Sequence, residues 1–344
     1  MTNTTQAAHL GSVLVTGATG QVGRRLVSAL LETGHPVTIL TRSPAAARRL
    51  WPSDRVAVHE GDLTEAATLA GLGEGLKTVF HLASYAPRPD EPDLYNAPDH
   101  WRVTAEGTAN LVAALARAPI ERLVYVSTVK AMGDRAGALG RPAGADTPPE
   151  PDCLYGRTKL AAERSVLEFG RAHRIKVSVM RLPMVYGLDG AGNIARMVEA
   201  VAAGRFPPWP RQYNRRSAIH VEDAIAAAFL IAHHPETGDR TYIATDGQPY
   251  STRWIYEQIR LALGRSVPRW TLPLWMLQGA ALGGTLIERG LGRRMPLTRD
   301  SLAKLTQDAW YDSSAITALG FVPRQGLMDE IKRLTRRSSA ASAP

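Results

Sequence analysis

Six short β-branched runs, each followed by helical spacing or a turn, fill the first half of the chain, and the first run ends in glycines. SVLVTG (Ser12–Gly17) leads into TGATGQVG (Thr16–Gly23), and apolar residues follow at helical spacing through Val22, Leu26, Leu30 and Leu31. Further runs stand at Pro36–Leu40, Val56–His59, Thr78–Leu82, Arg122–Thr128 and Lys176–Leu182, with helical stretches at Ala45–Leu50, Thr104–Ala118 and from Tyr155 onward. Strands buried on both faces and separated by helices lie parallel, joined by right-handed crossovers. The pattern therefore predicts an α/β, doubly wound parallel sheet over residues 10–183. Beyond Pro183 the alternation gives way to tryptophans, prolines and helices, and strand character returns at Arg240–Ala244. Residues 217–246 are expected to return to the dinucleotide-binding domain. Residues 184–216 and 247–335 are expected to form a smaller, mostly helical C-terminal substrate-binding region, and residues 1–9 and 336–344 to be disordered tails.

The glycines at 17, 20 and 23 sit at the first strand–helix junction. There Gly17 permits a tight turn, Gly20 lets the backbone approach a pyrophosphate, and Gly23 lets helix and strand pack closely. The helix amino terminus adds free N–H groups and its dipole. This is the arrangement of a Rossmann dinucleotide-binding fold, with Thr19, Gln21 and Val22 in the same loop. Eighteen residues past Gly23, where an acid would take the ribose 2′-hydroxyl, stand Thr41 and Arg42. No carboxylate there and a guanidinium next to it lean toward NADP, with NAD still open.

Composition narrows the partners. With 44% hydrophobic and 21% charged residues over 344 positions, the chain can bury a large core. Its net charge of +9 comes from scattered residues, and only the tail KRLTRR forms a basic run, so nucleic acid is not the expected partner. One cysteine, Cys153, excludes an intrachain disulfide and fits a reducing, cytoplasmic setting. No signal peptide is read at the amino terminus. Leu272–Ile287 is too short and too interrupted to span a membrane, and reads as a core helix rather than a membrane-surface one. No metal site is expected.

Tyr155 and Lys159, in LYGRTKLAAER, share one helix face. The chain has six Lys against thirty-five Arg, so an ammonium one turn beyond a Tyr is a marked choice. A phenol with pKa about 10 is a poor base at neutral pH, and bringing it near 7 takes about 4 kcal/mol of preference for the phenolate. An adjacent ammonium and an oxidised nicotinamide both act in that direction. Ser127 and Thr128 end the fifth run, where a hydroxyl reaches the crevice beyond the strands' carboxyl ends.

Together these motifs resemble the extended short-chain dehydrogenase/reductase family, of the NAD-dependent epimerase/dehydratase type, and most nearly nucleotide-sugar epimerases of the UDP-galactose 4-epimerase kind. The likeness runs from Val13 to Pro323 through TGATGQVG, GDL (Gly61–Leu63), HLAS (His81–Ser84), YVST, YGRTK, RLPMVYG (Arg181–Gly187) and RRSAIHVED (Arg215–Asp223). The resemblance implies that Asp62 and Leu63 border the adenine and that Leu82, Ala83 and Ser84 line the cofactor. It makes Thr128 the catalytic hydroxyl, Tyr155 the acid/base and Lys159 its activator, with Ser127 and Pro183 beside the dinucleotide. Arg216 would hold a substrate diphosphate. Asn193 is a weaker substrate-side candidate beside Ser84 and Thr128, and Asp223 reads as a helix cap. Thr104 stands where the family often has Asn, so one structural hydrogen bond must be made differently. The family's ribose-gripping Arg/Asp pair is not recognisable near Arg293–Asp300. A homodimer through the helices of Glu106 and Tyr155 is implied by the same likeness.

Val129 and Lys130 occupy the places where sugar 4,6-dehydratases keep an Asp-Glu pair, which speaks against dehydration. The expected activity is NAD(P)-dependent epimerisation of a nucleotide sugar by transient C4 oxidation and hydride return. The alternative is an NADP-dependent keto-reductase or hydroxysteroid-type dehydrogenase, in which Trp209, Trp254, Trp270 and Trp275 line an apolar pocket as easily as they fill a core. A non-catalytic NAD(P)-sensing regulator fits less well, since it has no need of Thr128, Tyr155 and Lys159.

Overall fold

The computed structural model describes residues 10–341 other than 53, 89–90, 92, 191, 292–294 and 296. Ten strands run in order: β1 (Val13–Thr16), β2 (Val37–Thr41), β3 (Val56–Glu60), β4 (Thr78–His81), β5 (Arg122–Thr128), β6 (Lys176–Leu182), β7 (Met184–Tyr186), β8 (Arg216–His220), β9 (Arg240–Ile243) and β10 (Pro249–Tyr250). Seven form one sheet in the order β3-β2-β1-β4-β5-β6-β9, all parallel. The chain winds outward from β1 through β2 to β3, then restarts on the other side at β4. The crevice beyond the carboxyl ends of β1 and β4 is thus the switch point where such sheets take ligands.

Period-two alternation divides the apolar residues between the faces. Val13 and Val15 of β1 join Leu26 and Leu30 of the helix Gln21–Glu32 and Ala224 and Ile231 of the helix Val221–His233. Leu14 turns the other way, toward Leu111 and Leu115 of the helix Gly107–Leu115 and Ala162 and Val166 of the helix Leu154–His173. A separate core gathers Tyr186, Ile194, Trp209, Ile255, Tyr256, Ile259 and Ile331.

Several expectations change. A second sheet, β10-β8-β7, lies among the Pro- and Trp-rich segments, where strands of two to five residues are too short to show alternation. The helix expected from Thr104 begins at Trp101 with a wider, π-type turn through Glu106. Arg336 is not part of a disordered tail, because the last helix runs Leu327–Ala341; residues 1–9 and 342–344 lie outside the described residues, as does Arg293. The apolar helix Leu274–Leu291 is not a core helix. Leu277 and Ala281 are buried, but Trp275, Met276, Leu282 and Leu286 are exposed. Its composition is apolar on all sides, so composition alone could not tell which faces find partners.

One buried ion pair ties the Tyr155 helix to the sheet. Arg181 of β6 donates to Glu163 through Nε at 3.0 Å and Nη2 at 2.7 Å, with both side chains about 95% buried or more. The Ser127 hydroxyl donates to the same carboxylate. Glu163→Leu should destabilise the protein by about 3–5 kcal/mol, because it leaves the guanidinium buried without its carboxylate. Glu163→Leu/Arg181→Met should recover most of that loss. Urea unfolding followed by circular dichroism measures both, and equal losses in the two variants would remove the ion pair as the cause.

Candidate active site

The glycine loop has the geometry that close approach demands. Gly17 has φ +70°, and a Cβ there would stand 2.7 Å from the Ala83 nitrogen. At Gly23 a Cβ would lie 2.2 Å from the Gly17 carbonyl oxygen, so helix and loop touch backbone to backbone. At Gly20 the space is nearly open, with only the Gly17 oxygen within 4 Å. Gly20 is also the N-cap of the helix Gln21–Glu32 and offers no side-chain acceptor, so neither it nor an acid in the first turn competes for the N–H groups at Gln21 and Val22. Thr19 uses its carbonyl to accept from Arg24 Nε at 2.8 Å, which pins the loop. The cradle fits a pyrophosphate.

A polar relay fixes the loop to β4. Thr16 Oγ1 lies 2.6 Å from His81 Nδ1, His81 Nε2 lies 2.9 Å from Thr108 Oγ1, and Thr108 donates to the Thr104 carbonyl at 2.6 Å. Burial and the Lys159 charge push His81 down to about 3, so it is neutral. Thr104 solves the missing-Asn problem. Its hydroxyl accepts from the Tyr85 N–H at 3.1 Å and holds the segment after β4, where Leu82, Ala83 and Ser84 stand half-buried at the crevice.

Just beyond β3, Asp62 accepts from Thr64 N at 2.8 Å and Oγ1 at 2.9 Å, while buried Leu63 packs beneath Gly107. Burial raises the Asp62 carboxyl, but those hydrogen bonds and the Arg42 and Arg102 charges outweigh it and leave it below the usual range. Arg42 lies 3.7 Å from Asp62 with its side chain 76% exposed, free to meet a further anion.

The Tyr155 helix starts under an unusual cap. Leu154 N donates to Asn96 Oδ1 at 2.9 Å, Tyr155 N to the Tyr95 carbonyl at 2.8 Å, and Gly156 N to Cys153 Sγ. A loop from before the Trp101 helix thus satisfies orphan donors of the Leu154–His173 helix. The same loop sets the Tyr95 ring 6.1 Å from the Tyr155 ring, and His100 packs at 5.1 Å. Thr128, at the carboxyl end of β5, presents its hydroxyl near the Tyr155 phenol and favours the phenolate. Pro183 follows the neighbouring end of β6, where Leu182 pairs with Thr128.

Lys159 is buried, with Nζ donating to the Val126 carbonyl at 3.0 Å and standing 4.9 Å over the Tyr125 ring. Burial brings its ammonium down to about 8, against an opposing pull from Glu163. Tyr155 departs from expectation. Burial, with Tyr95 adding to it, pushes the phenol up to about 12, and the Thr128 hydrogen bond recovers only part of that. The protein alone therefore holds a neutral phenol whose proton is harder to remove than that of free tyrosine.

Other candidates sit differently. Ser127 faces inward to Glu163, so its hydroxyl is committed away from the crevice. Arg216 donates to the Lys304 and Gln307 carbonyls, and burial lowers its pKa. Asn193 is exposed, its oxygen accepting from Arg196 at 3.0 Å, and no contact among the described residues ties it to Tyr155. Asp223 does not cap its own helix; its two oxygens accept from Arg324 N and Gln325 N at 2.9 Å. Trp209 is core, Trp254 stacks on Tyr250 at 5.2 Å, and Trp270 and Trp275 face outward.

Two cations were missed at the sequence level. Lys304 Nζ stands 4.0 Å over the Tyr95 ring, and Lys130 Nζ stands 5.5 Å from it while pairing with Asp134. Among the described residues no carboxylate comes within ion-pair reach of Lys304, and burial and Lys130 lower its pKa. Lys130 was legible only as an odd residue beside Thr128, and Lys304 not at all, since it arrives from the other end of the chain.

The model of the NAD dependent epimerase/dehydratase family matches residues 13–244. A UDP-glucose 4-epimerase of Vibrio cholerae is 24% identical over 327 residues, covering 94% of each chain. A 2-alkyl-3-oxoalkanoate reductase of Stenotrophomonas maltophilia is 27% identical over 341 residues, covering 95% of this chain and 99% of its own. The structure of UDP-glucose 4-epimerase from Thermotoga maritima, with UDP-glucose, superposes with TM-score 0.73 at 18% identity over 96% of this chain and all of that one, a likeness of fold.

Lys159 offers a pH test. Below about pH 8 it is an ammonium, and above it the proton is lost. Dinucleotide affinity should be flat below pH 8 and weaken above it, by at most about tenfold per pH unit. In Lys159→Met that limb should vanish. Fluorescence titration between pH 6 and 9.5 measures it, and the same limb in both proteins would remove Lys159 from dinucleotide binding.

Proposed function

The chain belongs to the NAD dependent epimerase/dehydratase family, and we propose that within it the protein reduces a keto group on an anionic substrate, using NADPH. The observation that carries this reading is the gathering of Lys304 and Lys130 over the Tyr95 ring, which packs against the Tyr155 ring. The dinucleotide, when bound in the glycine cradle, supplies hydride to the carbonyl carbon. Thr128 holds the carbonyl oxygen and Tyr155 gives it the phenolic proton. A phenol kept protonated near neutral pH is the acid that reduction needs. The phenolate then regains its proton from solvent, while the Lys159 ammonium keeps its bond to the Val126 carbonyl. The exposed Arg42, with no acid at Thr41, supports NADP over NAD.

Lys304, half-buried and without an ion-pair partner among the described residues, favours a substrate bearing a carboxylate or phosphate over a neutral sterol, since an unpaired, partly buried charge lowers its energy by taking up an anion. The reductase among the relatives acts, by its name, on an oxo acid. Nucleotide-sugar epimerisation is the second reading, supported by the sequence motifs and by Arg216 next to Lys304. It asks Tyr155 to act as base as well as acid, and so asks the nicotinamide charge to overcome the burial.

Tyr155→Phe should lower turnover about 10²–10⁴-fold while leaving dinucleotide affinity within about twofold. Steady-state rates and fluorescence titration measure the two, and a wild-type rate would overturn the role. The reaction itself is separated by two assays: NADPH oxidation with a 3-oxo acid, and interconversion of UDP-glucose and UDP-galactose with no dinucleotide added. Activity only in the second sinks the reductase reading. Arg42→Ala should weaken NADP(H) about tenfold and leave NAD(H) unchanged, measured by calorimetry; equal effects on both would remove Arg42 from the choice.

A further inference from the structure

The helix Leu274–Leu291 turns an apolar face to the outside. Trp275 is 70% exposed and Leu286 62%, with Met276, Leu282 and Ile287 at 40–47%. Positions 275, 279, 282 and 286 form one stripe and 276, 280, 283 and 287 the next, so Gly279, Ala280 and Gly283 complete a continuous apolar strip. On the inner side Leu277 and Ala281 are buried, and Gly284 lies so close to the Leu297 carbonyl that a Cβ could not fit. Trp270, just before the helix, is also outside. The solvent face of a surface helix is ordinarily polar, and a strip of this kind marks an interaction surface.

We propose that this face docks on an anionic phospholipid bilayer, with the helix lying in the plane of the interface. Three features choose that occupant. The first is charge. Between positions 260 and 299 the sequence carries seven Arg and a single acid, Glu288, and the Arg265, Arg269 and Arg299 side chains are exposed. A segment so rich in arginine is complementary to an anionic surface. A second copy set against the same strip would bring two such segments together, which like charge opposes. The second is residue type, because tryptophans at the edge of an apolar strip match the headgroup level of a bilayer. The third is length. Eighteen residues span about 27 Å, with glycines inside, and among the described residues no helix is long and apolar enough to cross a membrane. Lying flat is the geometry left for it.

The surface is independent of the reaction assigned above. The test is co-sedimentation of the full chain with vesicles of phosphatidylcholine alone and with about 30% phosphatidylglycerol, an anionic-lipid fraction chosen to probe surface charge. The wild type should pellet with the anionic vesicles, at least tenfold more weakly with the neutral ones, and less as salt rises. Trp275→Ser/Leu286→Ser should lose at least tenfold in binding while keeping its thermal midpoint, since both side chains are outside the core, and Arg269→Glu should lose binding to the anionic vesicles in particular. Failure of the wild type to bind either vesicle, or binding unchanged in Trp275→Ser/Leu286→Ser, overturns the proposal. So does a dimer in light scattering that this variant converts to monomer, which would make the strip a contact between copies.

Discussion

Everything at the crevice depends on an ammonium being buried beneath it. Lys159 would lose much of its hydration on folding, and a single carbonyl, that of Val126, accepts its proton at 3.0 Å. The Tyr125 ring below and Glu163 one turn along the helix supply the remaining compensation. Those groups are themselves fixed by the sheet: Val126 and Tyr125 belong to β5, and Glu163 is locked by Arg181 of β6. The helix cannot rotate or slide without stranding either charge, and stranding a buried charge costs several kcal/mol. Tyr155 is therefore held at the crevice by interactions made one and two turns further along its own helix.

The other end of that helix is fixed from a different direction. Its first N–H groups are taken by Tyr95 and Asn96, and Asp93 in turn organises that loop through Tyr95 N, Asn96 N and Asn96 Nδ2. One short segment thus caps the helix and presents the aromatic ring over which Lys130 and Lys304 converge. Because Lys304 lies on the helix Arg299–Thr306, the C-terminal region reaches Tyr155 through this ring.

Much of this was legible in the sequence where a local pattern forces a local geometry. The glycine spacing, the strand–helix alternation and the Tyr155/Lys159 register are set within a few residues, and the fold followed them. What was not legible is set by partners far along the chain. The inward turn of Ser127 depends on Glu163 thirty-six residues away, and the clamp made by Asp223 depends on a segment about a hundred residues later. The short strands of the second sheet carry no period to read. Helix Leu274–Leu291 failed as a core element for a related reason: hydrophobic content reports a need for cover without saying which molecule provides it.

Electrostatics bears on the direction of the chemistry proposed for the site. The sequence alone suggested that Lys159 lowers the Tyr155 pKa, yet the ammonium spends its hydrogen bond on a backbone carbonyl and burial wins at the phenol, at about 12. An enzyme that starts from a protonated phenol is set to give a proton away, which suits a carbonyl receiving hydride. Removing a proton from an alcohol instead requires an added positive charge to favour the phenolate, and neither Lys130 nor Lys304 is among the groups that act on the Tyr155 phenol, where burial and Tyr95 raise it and Thr128 lowers it. Their placement suits an anion carried by the substrate better than activation of the phenol. On these grounds the arrangement of charges, more than the identity of the Tyr–Lys pair, argues for reduction of an anionic ketone.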